Sequence, residues 1–221
     1  MAEATMMRTT AAARVTATAT CRAAVGALAL GVFAAGCGGA SKPTTGGAGG
    51  ASSAGARPNA AVAGFSWLRP GPAPAHWRTA ALSSGATLAY PPTWKAIAGD
   101  RGTTTAGLVT RAGRYLGYLN LTPRQGAETV SGWARFRVSH NRAEGDTHVV
   151  TLATGPVLRF RTGRGACLRD SYATNAGAHY IEIACLVRGT HATTVIVGAA
   201  PPAQWARQRP VIERAIDAFV T

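Results

Sequence analysis

Acidic residues are scarce in this chain: 9 Asp and Glu stand against 23 Lys and Arg in 221 residues. So small a stock leaves little material for acid–base chemistry. Lysine is nearly missing as well, present only as Lys42 and Lys95, so arginine carries the positive charge. The cations never form a run of five, and no helix-turn-helix or aromatic-stacking pattern occurs, which argues against nucleic acid as a partner. No Gly-rich phosphate loop follows a strand-like run, and no G-x-S-x-G elbow or C-x-x-C pair is present. The apolar run 23–35 has 13 residues. A bilayer span takes about 20, so this run is too short to be a comfortable one.

What surrounds that run is informative. Arg8, Arg14 and Arg22 precede it, Gly36 and Cys37 end it, and a tract of Gly, Ala, Ser and Thr follows. Basic, greasy, small and then floppy is the order of a secretory signal. Residues 1–5 include Glu3, so Met6 or Met7 makes a more typical cationic start; the lack of an adjacent Arg pair argues against twin-arginine export. The segment Phe33-Ala34-Ala35-Gly36-Cys37 resembles the lipobox of bacterial lipoproteins, with Ala34 where Leu is usual. The resemblance implies that 1–36 is removed as a signal peptide and that Cys37 is diacylated at the new N-terminus. The alternative is ordinary signal-peptidase cleavage with Cys37 a bystander; Cys21, with no apolar run before it, belongs to the leader. Two acyl chains suffice for stable membrane residence. The expectation is therefore a protein held on the extracytoplasmic face of the cell membrane.

Removing 1–36 takes away Arg8, Arg14, Arg22 and Glu3, which leaves 20 basic and 8 acidic residues, a net charge of +12. Such a surface is drawn to anionic lipids and wall polymers. Heavy Arg and Ala usage is also what a GC-rich genome produces. Residues 38–64 carry almost no large apolar side chains and cannot offset the entropy of folding. With Cys37 they read as a flexible tether (37–64) with a reach on the order of 30 Å. The remaining 157 residues, 65–221, suit one domain with one core.

Within 65–221 the strand signals are 77–82, 86–90, 104–110, 115–121, 147–153, 157–161, 166–173, 179–187 and 192–198, separated by Gly, Pro, Asn and Ser turns. A helix is expected from about Ala127 to Ala143, closed by Gly145, and a second opens at Pro201-Pro202 with Trp205, Ile212, Ala215, Ile216 and Phe219 on one stripe. Trp67, Trp77 and Trp94 read as core or sheet cover. The order argues for α+β architecture: a mostly antiparallel sheet flanked by a central and a C-terminal helix.

Cys167 and Cys185 stand symmetrically about Ala176. A hairpin folded at Asn175-Ala176-Gly177 sets them opposite each other, and an exported chain meets oxidising conditions, so a structural disulfide is expected. The same register sets Asp170 opposite Glu182, an unfavourable like-charge pair that Arg169 and Arg188 could offset.

Three constellations could carry chemistry. His140, Glu144, Asp146 and His148 could hold a divalent metal, with His140 and Glu144 one helical turn apart and Asp146 and His148 two apart on a strand. Their bland reading is a polar helix end running into an edge strand. Ser171, His179 and Asp170 contain the residue types of a hydrolase triad without its elbow. Asp170 and Glu182 could be paired glycosidase carboxylates, though no sugar groove accompanies them.

The strand running into YPPTW (90–94), the strand GYLNLTP (117–123) leading into a helix, and TTVIVGAA (193–200) before a closing helix resemble the PsbP-like family. That family includes the extrinsic photosystem subunit, Mog-type Ran-binding proteins and many actinobacterial lipoproteins. The resemblance spans about residues 77–220 and implies an antiparallel sheet sandwiched by helices in a non-enzymatic binding or accessory domain. The expected function is a lipid-anchored envelope accessory protein, monomeric and without cofactor, that binds an envelope protein or polymer. The alternatives are a surface hydrolase or metal enzyme built on 140–148, and a carrier of a small apolar ligand such as a lipid.

Overall fold

Alternation of apolar residues builds the longer strands of this chain into one seven-stranded sheet. The computed structural model describes Val62, residues 64–190 and residues 192–221. The expected signal peptide, Cys37 and nearly all of the tether lie outside the described residues. A short hairpin, β1 (Arg78–Ala81) and β2 (Thr87–Tyr90), comes first and stands apart from the main sheet. The main sheet holds β3 (Lys95–Ile97), β4 (Thr104–Val109), β5 (Tyr115–Pro123), β6 (Thr147–Arg159), β7 (Gly163–Ala173), β8 (His179–Gly189) and β9 (Thr193–Ala200). Their order is β3-β4-β5-β9-β8-β7-β6, and every neighbouring pair is antiparallel. Helices α1 (Trp133–Ala143) and α2 (Pro202–Ala218) complete the α+β fold.

Each face of the sheet has its own packing. Ile183, Cys185 and Val187 of β8 and Ile196 of β9 meet Ile212, Ala215, Ile216 and Phe219, with Phe65, Leu68 and Trp94 closing the same core. Full burial of each large side chain stabilises by about 1.5–3 kcal/mol. Pro202 starts α2 where a missing N–H costs nothing. At Gly198 a Cβ would overlap Ile212, so only glycine lets the helix approach β9 this closely. The alternate residues Ala184, Leu186, Val195 and Val197 form a smaller cluster with Ala166 and Trp133 of α1.

The hairpin register about Ala176 is as expected: Cys167 faces Cys185 and Tyr172 faces Tyr180. The two cysteines are joined, with their Cα atoms 4.1 Å apart. Gly177 supplies the left-handed turn residue at φ 78°. Trp94 and Trp133 are buried, while Trp67 and Trp77 pack partly against the core.

Three element boundaries differ from expectation. The helix begins at Trp133, not near Ala127, because the preceding residues satisfy their polar groups locally. Glu128 accepts from the Gly126 N–H at 2.7 Å, and Thr129 accepts from the Gly132 N–H at 3.1 Å. The stretches 147–153 and 157–161 are one continuous strand, β6, whose irregular register accommodates Pro156 at the sheet edge. Strand β3 has three residues, too few to show a period.

Candidate functional site

The polar residues of greatest chemical interest lie between α1 and the sheet. Trp133, Arg137 and Asn141 recur every fourth residue, so α1 presents them along one stripe. Trp133 donates from Nε1 to the Ala184 carbonyl at 2.8 Å. Arg137 grips Glu182 of β8 with both arms of its guanidinium, Nε to Oε1 at 2.8 Å and Nη2 to Oε2 at 2.9 Å. Asn141 donates to Asp170 Oδ2 of β7 at 3.3 Å. From the sheet, the Tyr172 hydroxyl donates to Glu182 Oε2 at 3.2 Å, and Tyr118 of β5 meets the Tyr172 hydroxyl at 3.2 Å.

Asp170 and Glu182 are directly opposed and both are 0% exposed. Two buried carboxylates beside one guanidinium cannot both ionise cheaply. Burial, reinforced by Glu182, pushes Asp170 up to about 7. Its Oδ1 has no hydrogen-bond partner among the described residues. Glu182 is the member that Arg137 holds. Although burial works against its charge, Arg137 is held above its ordinary value by Glu182. Burial first, then Glu182, raises both Tyr118 and Tyr172, which keeps them as neutral donors. The like-charge opposition is thus relieved by Arg137 and by the upward shift of Asp170, which favours its neutral form. Arg169 and Arg188, expected to offset it, do not: Arg169 alternates to the other face, and Arg188 stands six residues along β8 from Glu182.

The sequence candidates separate accordingly. His140 and Glu144 do meet, Nε2 to Oε1 at 3.1 Å, and the hydrogen bond from His140 lowers the Glu144 carboxyl. Asp146, raised by burial and then by Glu144, precedes the first residue of β6. His148 is exposed at φ 51°, where the register of β6 slips between Thr147 and Val150, so the expected two-residue alternation breaks down. No group of three His, Cys, Asp or Glu able to hold a metal occurs among the described residues. The triad fails on strand geometry, because Asp170 and Ser171 are consecutive in β7 and project from opposite faces. Asp170 and Glu182 are brought together, but as sealed partners of α1 and not as walls of a sugar site.

Arg137, Asn141 and Tyr118 are not among the candidates that the sequence singles out. The four-residue spacing of Trp133, Arg137 and Asn141 was the available signal. A polar cavity of about 250 Å³ lies alongside, between Tyr118, Asn120, Trp133, Phe136, Arg137 and His140. A larger open groove of about 910 Å³ lies at the approach to α1, lined by Arg124, Val130, Pro156, Val157, Leu186 and Arg188 among others.

No protein-family model matches the chain, and no curated protein does. Among solved structures the chain is similar to cyanobacterial PsbP (CyanoP) from Synechocystis, at 11% identity and a TM-score of 0.49, covering 67% of this chain and 94% of the other. It is similar to a Pseudomonas aeruginosa protein of unknown function at 13% identity and a TM-score of 0.44, covering 66% and 97%. It is also similar to LpqN of Mycobacterium tuberculosis, described as involved in cell envelope biogenesis, at 15% identity and a TM-score of 0.35, covering 68% and 82%. At such TM-scores these likenesses carry no argument about activity or ligands. No helix among the described residues is long and apolar enough to cross a membrane.

Proposed function

We propose that this chain is an exported bacterial lipoprotein, anchored through Cys37 to the outer face of the cell membrane, whose domain binds an envelope component and does not transform it. The observation that carries the reading is the state of Glu182. It is the one carboxylate that Arg137 grips, and it is sealed under α1 with both oxygens occupied, unable to attack or to exchange protons with a substrate. The open groove lies elsewhere, at the approach to α1; its one acid, Glu128, is buried and accepts from the Gln125 and Gly126 N–H groups, and its Thr129 and Ser131 hydroxyls face each other at 3.5 Å. The basic, greasy, small-plus-Cys order at 8–37 supports export, and the Cys167–Cys185 disulfide fits an oxidising compartment. A monomer that needs neither cofactor nor nucleic acid is part of the proposal.

Metabolic labelling with palmitate, combined with cell fractionation, tests this. Label should enter the wild-type chain, be absent from Cys37→Ser, and accompany a membrane-bound protein with no free thiol at 167 or 185. An unlabelled cytosolic protein with both thiols free would sink the reading.

A further inference from the structure

Strand pairing gathers arginines that are far apart in the chain. Arg164 of β7 is directly opposite Arg188 of β8, and Arg159 of β6 is directly opposite Arg164. Arg188 is opposite Thr193 of β9, and the Arg124 N–H at the end of β5 donates to the Thr193 carbonyl at 3.0 Å. One transverse row therefore crosses five strands, with arginine at four places. Directly opposed residues share a face, and neighbouring strands are about 4.8 Å apart, so the row concentrates positive charge on one line. Like charges directly opposed destabilise a sheet.

Arg124, Arg164 and Arg188 are exposed, and their side chains have no ion pair or hydrogen bond among the described residues. The acid in the groove, Glu128, is buried and committed to the Gly126 N–H. Alternation places Arg164 and Arg188 on the face that carries Ala166 and Leu186, the α1 face; Arg124 and Arg188 line the groove, and Arg164 lines an adjoining concavity of about 530 Å³ that shares Val130, Val157 and Arg188 with it. Apolar surface adjoins the charge. Val157 is 66% exposed, and Val130, Pro156 and Leu186 complete the wall. Of the exposed large apolar residues of the described chain, Val157 lies two residues from Arg159 on β6, whereas Val150 and Leu152 lie toward the other end of that strand.

We propose that this groove binds a phosphate-bearing lipid, the arginine row taking the phosphate and the Val130–Val157 wall taking the start of an acyl chain. A guanidinium meets phosphate oxygens through paired N–H donors, and two neighbouring arginines can bracket one phosphate. A volume of about 910 Å³ accommodates a headgroup with the first part of a chain. A soluble polyanion would use the charge but leave Val157 uncovered. The proposal rests on the reading of the domain as a binder of envelope components and names what it binds.

The test uses the full chain carrying Cys37→Ser, which has no acyl chain of its own, so failure here leaves the anchoring claim standing. Calorimetry with monomeric dihexanoyl phosphatidylglycerol should show saturable binding at least about ten-fold tighter than to dihexanoyl phosphatidylcholine or to glycerol phosphate. Replacing Arg124, Arg164 and Arg188 together with Gln should weaken it by about ten-fold or more, while the charge-matched Arg101→Gln, Arg111→Gln, Arg114→Gln chain stays within about two-fold. Val157→Asp, an exposed single change, should weaken lipid binding by about ten-fold without lowering the melting temperature. Equal losses in the two arginine triples would overturn the site. Glycerol phosphate or polyphosphate binding as tightly as the lipid, with Val157→Asp indifferent, would overturn the lipid as occupant.

Discussion

The two faces of the seven-stranded sheet solve different problems with alternate residues of the same strands. On the α2 face, Ile183, Cys185, Val187 and Ile196 meet Ile212, Ile216 and Phe219, and the buried polar residues of α2 are Gln208 and Asp217. On the α1 face, β7 and β8 carry Asp170, Tyr172 and Glu182 at the middle and Arg164 and Arg188 at one end. Burying ions is a weak source of stability, since desolvation cancels most of the attraction. The α2 face and the disulfide therefore hold the fold together. The α1 face is where charge is tolerated, and it divides into a sealed lock under the helix and an open row beyond it.

Breaking the lock should have the largest effect. Arg137→Met leaves Glu182 buried without a counter-charge and should cost about 3–5 kcal/mol in urea unfolding. Adding Glu182→Gln should recover most of that, because the stranded charge is then gone. A loss below about 1 kcal/mol for the single change would contradict the lock.

The proton on Asp170 should give an unusual pH dependence. Its folded value is raised to about 7, against about 3.9 in the unfolded chain. Between those values the folded state holds the proton and the unfolded state has released it, so stability falls as pH rises from about 4 to about 7 and then levels. The upper bound on that fall is about 4 kcal/mol. Asp217, pushed up by burial to about 6, adds in the same direction. Asp170→Asn should flatten the larger part of the slope; an unchanged slope would mean that Asp170 is ionised in the fold.

On the opposite face, Cys167→Ala with Cys185→Ala releases a sequence separation of 18 and should cost about 3 kcal/mol of unfolding free energy. The smallest effect belongs to the rim of α1. The His140–Glu144 pair is exposed, so His140→Gln should change stability by less than about 1 kcal/mol. A larger loss there would extend the lock outward to the helix rim.

The sequence made the α2 face the easier one to read. The stripe Ile212, Ala215, Ile216, Phe219 has helical spacing, and the symmetric placement of Cys167 and Cys185 about one small turn fixes their strand register. Local competition hid other features. Glu128 and Thr129 cap their own backbone and delay α1, and the positive φ of His148 breaks the period that grouped it with Asp146. The arginines read as singly scattered because Arg124, Arg164 and Arg188 are separated in sequence by tens of residues. Only the pairing of β5, β9, β8 and β7 aligns them, although the turn at Ala176 already implies that Arg164 faces Arg188. Arg137 was hidden for a different reason: a helix stripe shows which side faces the sheet, not which sheet residue waits beneath.

The most direct test of the open row places a photo-crosslinking residue at Val157, or at Ala203 on α2, in cells grown with radiolabelled phosphate. After illumination and delipidation, the account expects label to stay on the protein from position 157 and not from position 203. Equal label at both positions, or none at 157, would contradict it.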